Sequence, residues 1–134
     1  MRQPYIIELQ NIESESGVLN ILEVNNQIQF DIKRIFILND IFDNVQRGNH
    51  AHKETDQLLI CLSGEIIVHT ELPNGCTHSF KLTDSRNGLF IPAEAWHYME
   101  YIKNSIQVVC ASHVYDESDY LRTKEIYLNY YNEN

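Results

Sequence analysis

Two imidazoles at alternate positions, His50 and His52, stand in the segment Arg47-Gly-Asn-His-Ala-His-Lys53, shortly before the apolar run Gln57-Leu-Leu-Ile-Cys-Leu62. Residues two apart on an extended strand face the same side. A strand here sends both rings into one space, with the cation of Arg47 nearby. Imidazoles change charge near neutral pH and serve as metal ligands or as proton carriers, and both uses are open on the residues alone. A third imidazole, His97, follows Trp96 in Pro92-Ala-Glu-Ala-Trp-His97. It is a candidate metal ligand, a candidate substrate contact, or a core residue with its polar atoms satisfied.

The elements that must position these groups are short apolar strands separated by turn signals. Tyr5–Leu9 opens the series. Gly17 and Asn25-Asn26 bracket Val18–Leu22, Ile28–Ile32 alternates, and Arg34–Leu38 continues it. After Gln57–Leu62 come a Ser63-Gly64 turn and Glu65–Thr70. Asn74-Gly75 is a hairpin signal with Thr77–Leu82 returning from it. Asn87-Gly88 precedes Leu89–Pro92, and Ser105–Ala111 is another β-branched run. Only Glu117–Tyr131 suggests a helix or 3₁₀ turn. The reading is all-β, a sandwich or barrel in one domain, residues 1–134.

Composition narrows the function classes. At 134 residues and 43% hydrophobic content the chain can bury a real core. A formal net charge of −9 argues against nucleic acid as a partner, because a phosphate backbone needs a basic face. One small anionic ligand needs only a local cationic cluster, for which Arg34, Arg47, Lys53 and Arg86 are candidates. No apolar run approaches the roughly 18 residues of a membrane span, and the N-terminal residues carry no signal core, so a cytoplasmic protein is expected. Three cysteines, an odd number without CxxC spacing, argue against a disulfide framework or zinc cluster; Cys61 and Cys110 fall in apolar runs and are expected to be buried thiols.

The spacing His50-x-His52-x4-Gln57-x6-Gly64, with Pro92-x4-His97 downstream, resembles the two signatures of the cupins. That resemblance implies a small jelly-roll barrel with its site inside. In metal-binding cupins the corresponding positions, here His50, His52, Gln57 and His97, hold a divalent ion. Glutamine stands here where those proteins usually have glutamate, which removes the only anionic ligand, although imidazoles alone hold ions such as Zn²⁺ or Ni²⁺. Arg47–Lys53, Gly88–Trp96 and Ala111-Ser-His-Val-Tyr-Asp-Glu-Ser-Asp-Tyr-Leu-Arg122 together are similar, over about residues 5–128, to the sugar 3,4-ketoisomerases of the FdtA/QdtA group.

That closer resemblance implies cofactor-free and metal-free ketoisomerisation of dTDP-4-keto-6-deoxyglucose, feeding 3-amino-3,6-dideoxy sugars of surface glycans such as lipopolysaccharide. It also implies a homodimer in which the N-terminal strand packs against or exchanges with the partner. One departure is that the strand Arg34-Ile-Phe-Ile-Leu-Asn39 lacks the tyrosine of these relatives. Another hydroxyl, for which Tyr98 and Tyr101 are candidates, or a water must take its place.

Ketoisomerisation needs a base for the C3 hydrogen, a carrier between the two oxygens, and positive groups for the oxyanion. His52 is assigned the carbon and His50 the oxygens, with the reverse open. Arg47 is the candidate diphosphate ligand and the cation that keeps an imidazole neutral. Arg34 is a substrate contact or a solvated edge charge, and Gln57 an orienting partner for a histidine. Trp96 offers an apolar wall for sugar or base. His69 and His78, on either side of the hairpin, are expected to be exposed, and the Tyr127–Tyr131 cluster to pack the tail or a dimer contact.

Overall fold

The computed structural model describes residues 1–133. Two five-stranded antiparallel sheets face one another and form the jelly roll. The first, in spatial order, holds β1 (Tyr5–Glu8), β9 (Asn87–Ile91), β6 (Gln57–Ser63), β11 (Ile106–Ala111) and β4 (Arg34–Leu38). The second holds β12 (Tyr120–Leu121), β5 (Val45–His52), β10 (Trp96–Tyr101), β7 (Ile66–Glu71) and β8 (Thr77–Leu82). A separate hairpin pairs β2 (Gln10–Ser14) with β3 (Gly17–Ile21), and α1 (Lys124–Glu133) closes the chain.

The unbroken apolar run of β6 follows from its central place. Leu59 and Cys61 face the core between the sheets, whereas Leu58 and Ile60 face a second cluster with Ile7, Leu9, Ile28 and Cys110. A strand covered on both faces has no polar side to show. Full burial of each such side chain contributes about 1.5–3 kcal/mol, so β6 is a firm platform for Gln57 at its start. Cys61 and Cys110 are buried thiols and Cys76 is exposed; all three are free.

The all-β reading and most strands stand, with differences. Ile28–Ile32 is not a strand: Asn25 takes a left-handed φ of 67°, and the segment touches Val24 only through an isolated bridge at Ile28. Its apolar side chains nevertheless pack, Ile28 fully buried and Phe30 and Ile32 against the second cluster. Alternation there marks a covering loop, not a ladder. His69 and His78 are half-buried. His69 is held by Ser79 at 2.8 Å and Glu100 at 3.3 Å, and His78 stacks near Phe80. The tail does form a helix, preceded by a 3₁₀ turn at Glu117–Asp119 that Asp116 caps through Ser118 N–H. In this helix Tyr127 is buried beside Trp96, and the Tyr131 hydroxyl donates to the His52 carbonyl at 2.5 Å. No described helix is long and apolar enough to cross a membrane.

Candidate active site

The histidine strand carries a β-bulge. His50 lies opposite His97 and Gly48 opposite Tyr98, so Asn49 has no partner on β10. Gly48 and Asn49 both take positive φ, 98° and 62°. A Cβ on Gly48 would stand 3.0 Å from the His97 carbonyl oxygen and 3.0 Å from Tyr98 Cα, so glycine suits both the backbone angle and the close approach. The extra residue shifts the pleat by one. Arg47, three positions before His50, therefore shares the inner face with it, opposite Met99. On a regular strand the two would point to opposite sides.

His50, His52 and His97 converge. Ring centroids are 5.2 Å apart for His50–His52, 4.9 Å for His50–His97 and 6.2 Å for His52–His97. Each ring is oriented differently. His97 Nδ1 lies 3.0 Å from the Ala95 carbonyl, which can only accept, so that nitrogen carries the proton. His52 Nδ1 lies 2.9 Å from Asp119 Oδ2, leaving Nε2 buried and without a hydrogen-bond partner. His50 Nδ1 is also buried and unpartnered.

Asp119 is itself tightly held. Its carboxylate accepts from the Glu54 N–H at 2.8 Å, the Lys53 N–H at 3.2 Å and the Thr55 hydroxyl at 2.5 Å. The strand β12 that follows it pairs Tyr120 with His52 and Leu121 with Ala51. The C-terminal segment thus delivers both an orienting carboxylate and the ring of Tyr120, 4.5 Å from His52 and 5.2 Å from His50.

A cavity of about 340 Å³ opens on this cluster. His50, His97 and Tyr120 line it together with Arg47, Arg122, Gln57, Tyr101, Gln107 and Phe36. His52 is not on the wall; it is 1% exposed and sits behind His50. Trp96 is also elsewhere: it packs on Tyr127 with Lys124 over its ring, and lines a groove on the opposite face of the sheet. Arg34 lies outside the wall, its guanidinium over Phe36 at 5.3 Å and Tyr115 at 5.7 Å. Tyr98 points outward and stacks on His69, whereas Tyr101 points inward and donates to Gln107 Oε1 at 2.8 Å. Asp119, Tyr120, Gln107 and Arg122 were not among the residues the sequence singled out for roles. The one hint was the acid-and-aromatic string Tyr115–Tyr120, whose pairing with β5 is a long-range contact.

The imidazoles are neutral. Burial pushes His50 down to about 2, helped by the neighbouring His97, His52 and Arg122. Burial takes His97 to about 4 and also lowers His52, against the opposing pull of Asp119. The cations that act on the pair are Arg122 and Arg34, not Arg47 as the sequence suggested. Asp119 stays ionised, held below its usual range by Thr55 and the Glu54 N–H in spite of burial. The His52–Asp119 contact is therefore a neutral N–H donating to a carboxylate.

These shifts predict acid sensitivity. The three folded values lie below the ordinary 6.5, so beneath that pH the unfolded chain binds more protons than the folded one. Stability then rises with pH across this window and falls on acidification. Between pH 6.5 and 5, where most carboxylates remain ionised, His50 and His97, kept neutral, each cost about 2 kcal/mol. The urea midpoint is expected to drop over that interval, and to drop less in His97→Gln; a midpoint flat from 6.5 to 5 would contradict the burial of neutral imidazoles.

One nitrogen from each of the three histidines lies within 4.8 Å of the others, a grouping able to hold a divalent ion such as Zn²⁺ or Ni²⁺. Gln57, where a carboxylate would complete such a set, supplies no charge. The arrangement equally suits proton transfer: two neutral imidazoles on the wall, a third behind them, and two arginines beside the cavity.

Comparison with known proteins bears on that choice. The chain matches the family described as "FdtA: WxcM-like, C-terminal" over residues 2–132. It is 32% identical over 126 residues to the TDP-4-oxo-6-deoxy-alpha-D-glucose-3,4-oxoisomerase of Aneurinibacillus thermoaerophilus, covering 93% of this chain and 90% of that protein. Its fold is similar to that of a mutant QdtA 3,4-ketoisomerase from Thermoanaerobacterium thermosaccharolyticum in complex with TDP-4-keto-6-deoxyglucose. There the TM-score is 0.92 and the identity 29%, covering all of this chain (100%) and 97% of that one. The WlaRB TDP-quinovose 3,4-ketoisomerase of Campylobacter jejuni gives a TM-score of 0.90 at 30% identity, with 96% and 99% covered.

Proposed function

The chain belongs to the FdtA family, and from that membership we propose that it is an isomerase converting dTDP-4-keto-6-deoxy-D-glucose to the dTDP-3-keto-6-deoxyhexose. The observation that carries the reading is the neutral imidazole of His50 on the cavity wall, backed by the His52–Asp119 pair. Arg47 and Arg122 on the same wall suit a diphosphate. Gln57 supplies a neutral hydrogen-bonding edge. Arg34, outside the wall beside Phe36, acts in this reading through its charge on His52 and not as a substrate contact. Trp96 lies on the far face, packed on Tyr127, away from this cavity.

The reaction requires only proton movement. His50 takes the C3 hydrogen, which the neighbouring C4 carbonyl acidifies, and an enediolate spans C3 and C4. The same imidazole returns a proton to C4, while O4 gains a proton and O3 loses one. Of the two assignments left open by the sequence, this is the one in which His50, not His52, serves the carbon. His52 is instead the positioning residue behind the base, kept by Asp119 with its Nε2 toward the cluster. A base held near pKa 2 by burial is weak; the anionic diphosphate and the developing enediolate both favour its protonated form, so its basicity rises as chemistry proceeds.

The reading includes a cytoplasmic, single-domain protein acting as a homodimer, with a product used for amino-deoxy sugars of surface glycans. Dimerisation is supported by apolar side chains left exposed on edge strand β4 (Ile35, Ile37) and on the β2–β3 hairpin (Ile12, Leu19). Sedimentation should give the mass of two chains.

Conversion of the 4-keto sugar to the 3-keto sugar, followed by NMR, tests the function directly, and unchanged substrate would refute it. Turnover is expected to survive dialysis against a chelator, and added Zn²⁺ to inhibit by tying up the three imidazoles. Activity lost on chelation and restored by one equivalent of metal would instead favour a metal-dependent enzyme using His50, His52 and His97.

A further inference from the structure

The cavity wall carries a polar pair that the proton chemistry does not use. On β10, His97, Met99 and Tyr101 all line the cavity, so Tyr101 stands four positions from the imidazoles, about 13 Å at ~3.3 Å per residue. Its hydroxyl donates to Gln107 Oε1 at 2.8 Å. Both side chains are enclosed, Tyr101 3% and Gln107 2% exposed. Gln107 lies on β11 opposite Leu38 on one side and Cys61 on the other. An amide buried among such apolar neighbours needs hydrogen-bond partners at both of its ends.

Tyr101 fixes which way that amide points. Burial pushes the phenol far above its ordinary value, against the opposing pull of the Arg47 charge, so the hydroxyl remains a donor. A donor takes the amide oxygen; turning the amide over would set the hydroxyl hydrogen against N–H groups. The Nε2 end, with two N–H, is left for the cavity and meets no acceptor among the described residues. Arg47 lines the same wall opposite Met99, next to Tyr101 on the inner face. A cation and two neutral donors therefore converge on one part of the cavity, away from the imidazoles. That combination suits an anion with several oxygens. In a hexose whose C4 reacts at His50, the anomeric carbon and its diphosphate lie across the ring from the reacting carbon.

We propose that Gln107 is a substrate-binding residue, giving its amide N–H groups to an oxygen of the sugar nucleotide's diphosphate beside Arg47. Tyr101 is its positioning residue, holding the amide oxygen away from the anion. The ligand's identity rests on the ketoisomerase reading, and the test separates the two.

Gln107→Met keeps the bulk of the side chain and removes both donors. Titration with TDP alone should show about a tenfold loss of affinity, the scale for one hydrogen bond to a charged group. KM for dTDP-4-keto-6-deoxyglucose should rise by the same factor with kcat within about threefold of wild type, because the contact is equal in ground and transition states. Tyr101→Phe frees the amide to turn and should cost about threefold in TDP affinity, with nothing further lost when it is added to Gln107→Met. A filler of the wall would not produce that non-additive pattern. TDP affinity unchanged in Gln107→Met overturns the proposal, and so does a loss of kcat without a loss of TDP affinity, which would put the amide on the reacting sugar. Should Gln107→Met fail to fold, Gln107→Glu keeps an acceptor for Tyr101 and sets an anion in place of the donors. TDP affinity is then expected to fall at least about tenfold, and an unchanged affinity again overturns the proposal. TDP binding needs no turnover, so wild type that binds TDP but leaves the sugar unchanged sinks the ketoisomerase reading alone, and the affinity loss in Gln107→Met still supports the contact.

Discussion

Replacing His50 by asparagine is expected to lower turnover by about 10²–10⁴-fold, the usual range for a general acid–base group, while TDP still binds. His50 lines the cavity and its ring is neutral. Asparagine keeps a polar side chain at the bulge but cannot accept a proton near neutral pH. The cluster that lowers the His50 pKa would also be relieved, so the fold should be undamaged or firmer in mild acid. Measured kcat, TDP affinity and thermal midpoint distinguish this from collapse. Near wild-type turnover with unchanged TDP affinity would remove His50 from the chemistry.

The second large effect concerns the pair behind it. His52→Asn and Asp119→Asn are each expected to cost about 10²-fold in kcat, and the double variant little more than either single one. Groups that act as one unit show such non-additivity. Asp119 fixes the His52 tautomer through the 2.9 Å contact, and an amide there has no charge with which to support a proton on the imidazole cluster. Asparagine retains an oxygen for the Lys53 and Glu54 N–H groups, so the segment should stay folded. Alanine would leave the buried Thr55 hydroxyl without this acceptor, at a further cost of about 1–3 kcal/mol, while the Lys53 N–H keeps the Asp119 carbonyl. Fully additive losses in the double variant would mean that His52 and Asp119 act independently.

Alternation along the strand revealed that His50 and His52 share a face, since that depends only on local geometry. The bulge was harder to see. Asn49 at a φ of 62° is an ordinary polar residue in the sequence, yet it carries Arg47 onto the inner wall. The choice between the two imidazoles was not legible at all. Their depths differ because Asp119, with β12 after it, and the Tyr131 hydroxyl cover His52, from 67 and 79 positions away. Trp96 misled for the opposite reason: it neighbours His97, but successive strand residues face opposite sides, and an indole beside an inward imidazole must point outward. Ile28–Ile32 shows the same limit in the fold, where a covering loop buries alternate side chains without pairing.

The most direct test of proton transfer through carbon is incubation with dTDP-4-keto-6-deoxyglucose in D₂O, followed by NMR of the ring protons. The account predicts the 3-keto sugar with deuterium at C4, formed by wild type and at least about 10²-fold more slowly by His50→Asn. A sugar recovered as the 4-keto compound, bound but without ring deuterium, would contradict it.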